Sequence, residues 1–512
     1  MATYTTPGVY VNDVALTSLT PATAGTTTAV FFGTASRGPV VPTVINDWPT
    51  YKTVFGDLDN NYDLGYSVYH FFNNGGRSCY VNRIVGAGSA YATRASVPYY
   101  PSGIGGASAS LCTATADSPG TWGNSLTLVF TAGNQIASST AKPTFNLSIQ
   151  LSGVEVEKWL ELSPEANSNR YFVTTLNNYS SFVTISNPTS FSSSSVSASA
   201  GVVYATAAVT LAGGTDVAVQ ASDYSTAVGN IDTIDGTLLL NAVGVNTPSV
   251  VTAFASKAAT RGDSFVIVDP SLTDTTFAQI QTTAANLAGT SSGNYVAFYA
   301  PSLTMVDPAK TGPSAIRNTY PGGAIAGAFV RTDVNRTVAK APAGYDVTIV
   351  GAIAPAVTLT DAQVGSLYTT APYTNSFKSI RGAGVSIFGA RTFEKVNPDR
   401  FINVRRTLNY LHWSLKDLTQ YAVFEPNDVN LWNSLTNRIG GFLTNFWASG
   451  ALKGARASDA FFVLCDSTNN TAQTIDQGQV NVAVGVALLY PAEYIIINLS
   501  QWTGGSNAVV SF

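Results

Sequence analysis

Charge is what this chain has least of. Only 11% of its 512 residues are Asp, Glu, Lys or Arg, against roughly 25% in ordinary soluble domains. Its surface must therefore be finished with Ser, Thr, Asn and Gly. Such a surface does little to keep monomers apart, and it suits a subunit that spends its life packed against copies of itself. A halophile's surface would be strongly acidic, whereas 26 basic and 30 acidic residues leave a formal charge of −4 here. There is no basic run and no basic–aromatic stripe, so no direct nucleic-acid contact is expected. Cysteine is scarce as well. Cys79, Cys112 and Cys465 are odd in number and far apart, which gives neither a disulfide framework nor a zinc spacing. Cys465, in the apolar run AFFVLCD, reads as a small core residue. No apolar run has the length needed to span a bilayer. The start MATYTTPGVYV lacks the basic and apolar regions of a secretion signal. Folding in a reducing cytoplasm fits all of these.

Catalytic vocabulary is equally sparse. The two histidines, His70 and His412, have no partner at metal-ligand spacing, and His412 beside Trp413 reads as packing or a cap. The phosphate loop G-x-x-x-x-G-K-[ST] and the nucleophile elbow G-x-S-x-G are both absent, and GAGVSIFG from Gly382 is no dinucleotide fingerprint. Asp232 and Asp235 lie near a helix end, where solvated carboxylates are common, and the RGD at Arg261 reads as a loop between a helix and a strand. Asn146 and Asn498 sit in strand-like runs, where an N-x-S/T pattern means little. No cofactor and no catalytic set is expected. An enzyme would have to use the α/β stretch from Gly213 to Pro301, with a ligand at its strand C-termini, and that stretch has no cluster of titratable groups.

What is present is apolar and well ordered. Hydrophobic residues make up 45% and aromatics 11%, enough for two to four cores in a chain of this length. Residues 1–28 read as an arm carrying one short extended piece around Val9, Tyr10 and Val11, which is unstable alone and needs a sheet edge to join. Residues 29–90 read as the first part of an α/β core. AVFFGTA and SCYVNRIV are its strands; one helix opens at Asp47 and another covers Leu64 to Phe72. Residues 91–212 turn to Ser, Thr, Gly and Ala with the β-like runs LTLVF, TFNLSIQL, VEVEKWL and FVTIS, an all-β insertion facing outward with SFSSSSVSASAG as a flexible loop. Residues 213–340 alternate helices with the strands LLLNAV, SFVIVD and YVAFYAP, which argues for a three-layer α/β core.

Residues 341–490 hold the strongest helices. Val404, Leu408, Leu411, Leu415, Leu418 and Ala422 form one apolar stripe, with Arg405, Asn409, Lys416 and Asp417 off it. Leu431, Leu435, Ile439, Phe442 and Phe446 form another on a helix starting near Asp428, and Gly440-Gly441 inside it marks a bend or a close backbone approach. Residues 491–512 contain the final strand, Tyr494 to Leu499, apolar on both faces and so expected to be buried in a sheet. From the residues alone, both terminal strands are as well paired within the chain as between chains.

Six segments in order carry a resemblance. They are TPGVYVNDV near the start, PGTWGNSLTL from Pro119, LAGGTD from Leu211, PGGAIAGAFVRTDVNRTVAKAPAG from Pro321, FGARTFEKVNPDRFINVRRTLNY from Phe388, and VGVALLYPAEYIIINL at the end. Together they resemble contractile tail sheath proteins of phages and related injection systems over nearly the whole chain, residues 90–210 least. The resemblance implies a structural subunit, not an enzyme. Such subunits stack as six-membered rings into a helical cylinder around an inner tail tube, joined to a baseplate and a tail terminator, within a virion assembled in the host cytoplasm. Contraction drives the tube through the host envelope. Each subunit's arms pair with sheet edges of its neighbours. Carried onto this chain, the arms are Val9, Tyr10, Val11 and Val14 at one end, and Tyr494, Ile495, Ile496, Ile497 and Leu499 at the other. The tube-facing cations are Arg405, Arg406, Lys416 and Lys453, although the plainer reading of any one of them is a solvated face or an intramolecular salt bridge. The same resemblance covers a genome-free injection system or tailocin, and the sequence does not separate the two.

Overall fold

The computed structural model describes residues 27–100, 110–134, 144–186, 188, 207–370, 372–396, 398–494 and 496. An eight-stranded sheet organises the chain. Its strands are β1 (Thr28–Gly33), β2 (Thr43–Ile45), β3 (Cys79–Arg83), β4 (Leu238–Ala242), β5 (Ser264–Val268), β6 (Val296–Tyr299), β7 (Thr374–Ile380) and β8 (Gly384–Phe388). Across the sheet they run β8-β7-β6-β5-β4-β1-β3-β2. Every neighbouring pair from β3 to β7 is parallel, and the edge strands β2 and β8 are antiparallel to their partners.

Both faces of this sheet are covered, which is why its central strands β1, β4, β5 and β6 are apolar at nearly every position. Successive side chains point to opposite faces. Ala29 and Phe31 therefore enter one apolar cluster, while Val30 and Phe32 enter another. The first cluster takes in helices α1 (Trp48–Phe55), α2 (Asp63–Asn73) and, later in the chain, Gly322–Asn335. The second takes in α3 (Pro248–Arg261) and α4 (Phe277–Asn286). Asp47 caps α1, its carboxylate accepting from the Thr50 amide at 2.7 Å, a sequence-readable start signal. The helix Gly322–Asn335, α5, owes its position to the PGGAIAG run. A Cβ at Gly323 would lie 2.0 Å from the Ser67 carbonyl oxygen, and one at Gly327 2.5 Å from that of Phe71. Glycine alone lets α5 lie backbone against backbone on α2.

The sheet draws β7 and β8 from beyond residue 341, as does the small sheet of Leu303–Val306, Ile316–Thr319 and Ala352–Pro355. The expected boundary at 340/341 therefore cuts through shared sheets. Between residues 93 and 210, all four of the β-like runs are strands. They lie in a three-stranded and a four-stranded sheet around one apolar cluster. That stretch is not all β, however. Phe172–Tyr179 is a helix whose Phe172 and Leu176, one turn apart, are buried in the cluster. The Ser-rich loop lies outside the described residues.

Helices α6 (Ile402–Thr419) and α7 (Val429–Ala448) follow, the latter capped by Asp428, which accepts from the Leu431 amide at 2.9 Å. On α7, Leu431, Leu435, Ile439 and Phe446 are buried as the stripe requires. The helix is continuous through Gly440-Gly441, and a Cβ at either position would meet open space, so the expected close backbone approach is not made among the described residues. On α6 the stripe is only part of the picture. Val404 and Leu411 are buried, but so are Asn403, Arg405, Arg406, Thr407 and Asn409. The first half of this helix is wrapped on all sides.

Candidate assembly surfaces

Arg405 and Arg406 are 2% and 3% exposed, so the expectation that they face a tube is corrected: neither is presented at the surface. Burial of an arginine demands partners for its donors, and both have them. Arg405 donates from Nε to Asn409 Oδ1 at 2.8 Å, lies 3.6 Å from Asp399 and stacks 4.5 Å from the Tyr295 ring centroid. Asn409 in turn donates to the Ser264 carbonyl at the start of β5, at 2.7 Å. Arg406 grips both carboxylate oxygens of Asp333 on α5, at 3.0 Å through Nη1 and closer through Nη2. Its guanidinium lies 4.9 Å from the Phe329 ring centroid. Thr27 completes the group, its hydroxyl donating to Asp333 Oδ2 at 2.7 Å and accepting from Arg406 Nη2 at 3.2 Å. Thr27 immediately precedes β1, so a buried ion pair between positions 333 and 406 fixes the residue that leads into that strand. Val9, Tyr10, Val11 and Val14 lie outside the described residues.

A second arginine marks the other end. Arg391 forks onto Glu493, with Nε to Oε1 at 3.0 Å and Nη2 to Oε2. Four residues earlier, Asn403 at the start of α6 donates to the Leu489 carbonyl at 2.9 Å. Beyond this point, Tyr494 and Ile496 are 72% and 84% exposed and in no strand. The expectation of a strand buried in the chain's own sheet therefore fails at both positions; Ile495, Ile497 and Leu499 lie outside the described residues.

A two-stranded antiparallel sheet, β9 (Phe461–Leu464) with β10 (Ala483–Val486), packs on the cluster shared by α6 and α7. Phe461, Val463, Val484 and Val486 turn inward toward the cluster of α6 and α7, while Phe462 and Leu464 are exposed on the other face. Among the described residues neither strand has a second partner. Among the described residues both edges therefore lack a neighbouring strand and lie beside exposed apolar side chains, the feature by which sheets recruit further strands, although the Leu464 carbonyl accepts from Asn469 Nδ2 at 2.8 Å. Lys416, in the last turn of α6, and Lys453, just after α7, are exposed and in no ion pair among the described residues.

The remaining polar residues singled out by sequence are structural. Arg261 binds Asp263 through both carboxylate oxygens and the carbonyls of Ile231 and Ile234, so the RGD is a buttressed turn. Asp232 pairs with Lys257 at the surface. The three cysteines are buried, and burial pushes the Cys112 thiol up to about 12. His70 is buried and desolvation holds it down at about 4. Asp269 was not singled out by sequence. It is fully buried at the start of α5, accepting from the Gly322 amide at 2.7 Å, the Gly244 amide at 3.1 Å and Asn241 Nδ2 at 3.0 Å. Burial still raises it to about 6. Among the described residues no three His, Cys, Asp or Glu side chains converge as a metal would need, and no helix is long and apolar enough to cross a membrane.

Comparison with known proteins places these features in a family context. Residues 395–501 match the family described as the phage tail sheath C-terminal domain. The tail sheath protein of Vibrio phage KVP40 is 30% identical over 178 residues, 34% of this chain and 25% of its own length. That of Enterobacteria phage T4 is 29% identical over 185 residues, 36% of this chain and 27% of its own. The matched stretch thus spans about a quarter of the length of these relatives. Among solved structures, the sheath of the PVC extracellular contractile injection system in its contracted state superposes with a TM-score of 0.58 at 20% identity, covering 98% of this chain and 99% of that one. The contracted helical sheath of the anti-feeding prophage gives 0.56 at 19%, over 98% and 100%. The sheath tail protein of Listeria innocua gives 0.57 at 17%, over 87% and 90%. At these identities the likeness is one of fold, mixed α/β with several sheets. The resemblance to tail sheath proteins read from the six segments is borne out.

Proposed function

We propose that this chain is the sheath subunit of a contractile tail, polymerising into a helical cylinder around an inner tube and contracting to drive that tube through a target envelope. One observation carries the reading: Thr27 and Glu493 are each held by a buried arginine, and among the described residues the two-stranded sheet β9–β10 has no further strand partner. In the reading proposed here, arms of neighbouring copies fill the edges of that sheet, giving main-chain bonds for strength and alternate side chains for register. A screw operation repeating such heterologous contacts yields an open cylinder.

In this reading the eight-stranded sheet with a cluster on each face is a three-layer core, and residues 93–210 are a β-rich inserted domain turned outward. The arms are Val9 to Val14 and Tyr494 to Leu499. With Arg405 and Arg406 committed inside, Lys416 and Lys453 are the cations left to face the tube. The subunit is a virion component with a structural role and no catalysis, and its partners are copies of itself, the inner tube, the baseplate and the terminator. The likeness to the sheaths of two injection systems favours a second reading, a genome-free particle built in the same way. Deleting residues 1–15 tests the common part: the truncated subunit should stay folded and soluble yet form no long cylinders. Normal cylinders from it reject the arms.

A further inference from the structure

We infer that Arg391 is a positioning residue for assembly, gripping Glu493 so that the C-terminal segment leaves the core at one fixed point. This rests on the sheath reading above. Arg391 is the arginine of the FGARTF segment. Its guanidinium donates to both carboxylate oxygens of Glu493 and, through Nη1, to the Tyr368 carbonyl at 2.6 Å. The plane lies between Tyr368 and Tyr373, 4.7 and 5.3 Å from their ring centroids. Its backbone is tied to the main sheet in both directions, the Arg391 amide donating to Asn375 Oδ1 and Asn375 Nδ2 donating to the Arg391 carbonyl, each at 2.8 Å. Asn375 belongs to β7. A load on residue 493 thus reaches the eight-stranded sheet through one side chain and one residue.

The pair is suited to this task. Side-chain exposures of 9% for Arg391 and 17% for Glu493 leave little room for water to compete, and a two-bond fork fixes direction as well as distance. With the Leu489 carbonyl held by Asn403, the run 489–493 is fastened at both ends. A strand that pairs with a neighbour's sheet edge must arrive in register, because a slip of one residue turns every side chain to the wrong face. Slack at residue 493 permits such a slip; the fork removes it. Glu493 belongs to no apolar cluster, so the grip can be cut without unfolding the core.

The test uses the full chain with Glu493→Gln, which keeps the shape and removes the charge, and Glu493→Asp, which keeps the charge and shortens the reach. Both should still unfold cooperatively, with a melting temperature lowered by no more than a few degrees. Chymotryptic cleavage after Tyr494, referred to cleavage after Trp502 in the same sample, should rise about ten- to a hundredfold in Glu493→Gln, the factor expected for lost hydrogen bonds to a charged group. Cylinders seen by electron microscopy should be short or absent for Glu493→Gln and intermediate for Glu493→Asp. An unchanged cleavage ratio overturns the grip. A raised ratio with cylinders of ordinary length overturns its role in assembly. Absence of cylinders from the unsubstituted chain, with or without an inner-tube protein, overturns the sheath reading and the assembly role together, and the cleavage ratio then decides the grip by itself.

Discussion

Replacing Arg406 by methionine should destabilise the chain rather than loosen a surface contact. The substitution keeps most of the volume beside Phe329 but strands the Asp333 carboxylate, whose side chain is 7% exposed. Only the Thr27 hydroxyl remains to satisfy it among the groups described above. Removing one partner of a buried pair costs about 3–5 kcal/mol, because a charge is left without compensation. At a urea m-value of roughly 3 kcal/mol/M this moves the unfolding midpoint down by about 1 to 1.7 M. The transition can be followed by tryptophan fluorescence, since Trp413 and Trp447 pack in the cluster that α6 and α7 share. The double substitution Arg406→Met with Asp333→Leu removes both charges and should recover most of the loss. An unchanged midpoint in Arg406→Met would refute the reasoning and return Arg406 to the tube-facing candidates.

Phe462→Asp, at the open face of β9, should leave thermal unfolding within a degree or two yet abolish cylinders, and micrographs with ordinary cylinders would remove that sheet from the assembly. Gly323→Ala places a methyl 2.0 Å from the Ser67 carbonyl oxygen, so α5 must lift off α2 at a cost of about 1–3 kcal/mol or more, read as a lowered melting temperature. Two buried groups set opposing pH slopes. Asp269, raised to about 6 by burial, binds more protons folded than unfolded, so its contribution falls as pH rises from about 4 to about 6. His70, lowered to about 4, binds fewer protons folded, so its contribution rises with pH between about 4 and its ordinary 6.5. Asp269→Asn should therefore leave stability rising more steeply over that range, and denaturation at pH 4, 5 and 6 checks the sign. Lys416→Glu with Lys453→Glu should weaken co-sedimentation with the inner-tube protein while cylinders still form.

Local signals made much of this molecule legible. Asp47 and Asp428 announced their helices because a cap is written within three residues, and apolar runs such as AVFFG announced strands because a sheet covered on both faces needs apolar residues at successive positions. The apolar stripe of α7 was readable for the same reason. What failed was anything decided by distant chain. Arg405, Arg406 and Asn409 fall off the apolar stripe of α6 and so looked exposed. They are enclosed because Asp333, Thr27 and Ser264 arrive to satisfy them, and no spacing within the helix encodes that. The two buried arginine pairs escaped notice likewise: Arg391 and Asp333 lie inside segments that carry the family resemblance, but their partners Glu493, Arg406 and Thr27 are 102, 73 and 306 residues away. The final run looked buried because it is apolar on both faces, whereas Tyr494 and Ile496 are exposed, and alternation within a run does not encode which surface covers it. The helix Phe172–Tyr179 was hidden by its β-branched and Asn-rich composition within a run of strands.

Electron microscopy of the purified chain, expressed without its tube partner, addresses the central claim most directly. The account predicts striated hollow cylinders that disappear when residues 1–15 are deleted. Uniform monomers that stay monomeric after the inner-tube protein is added would contradict it.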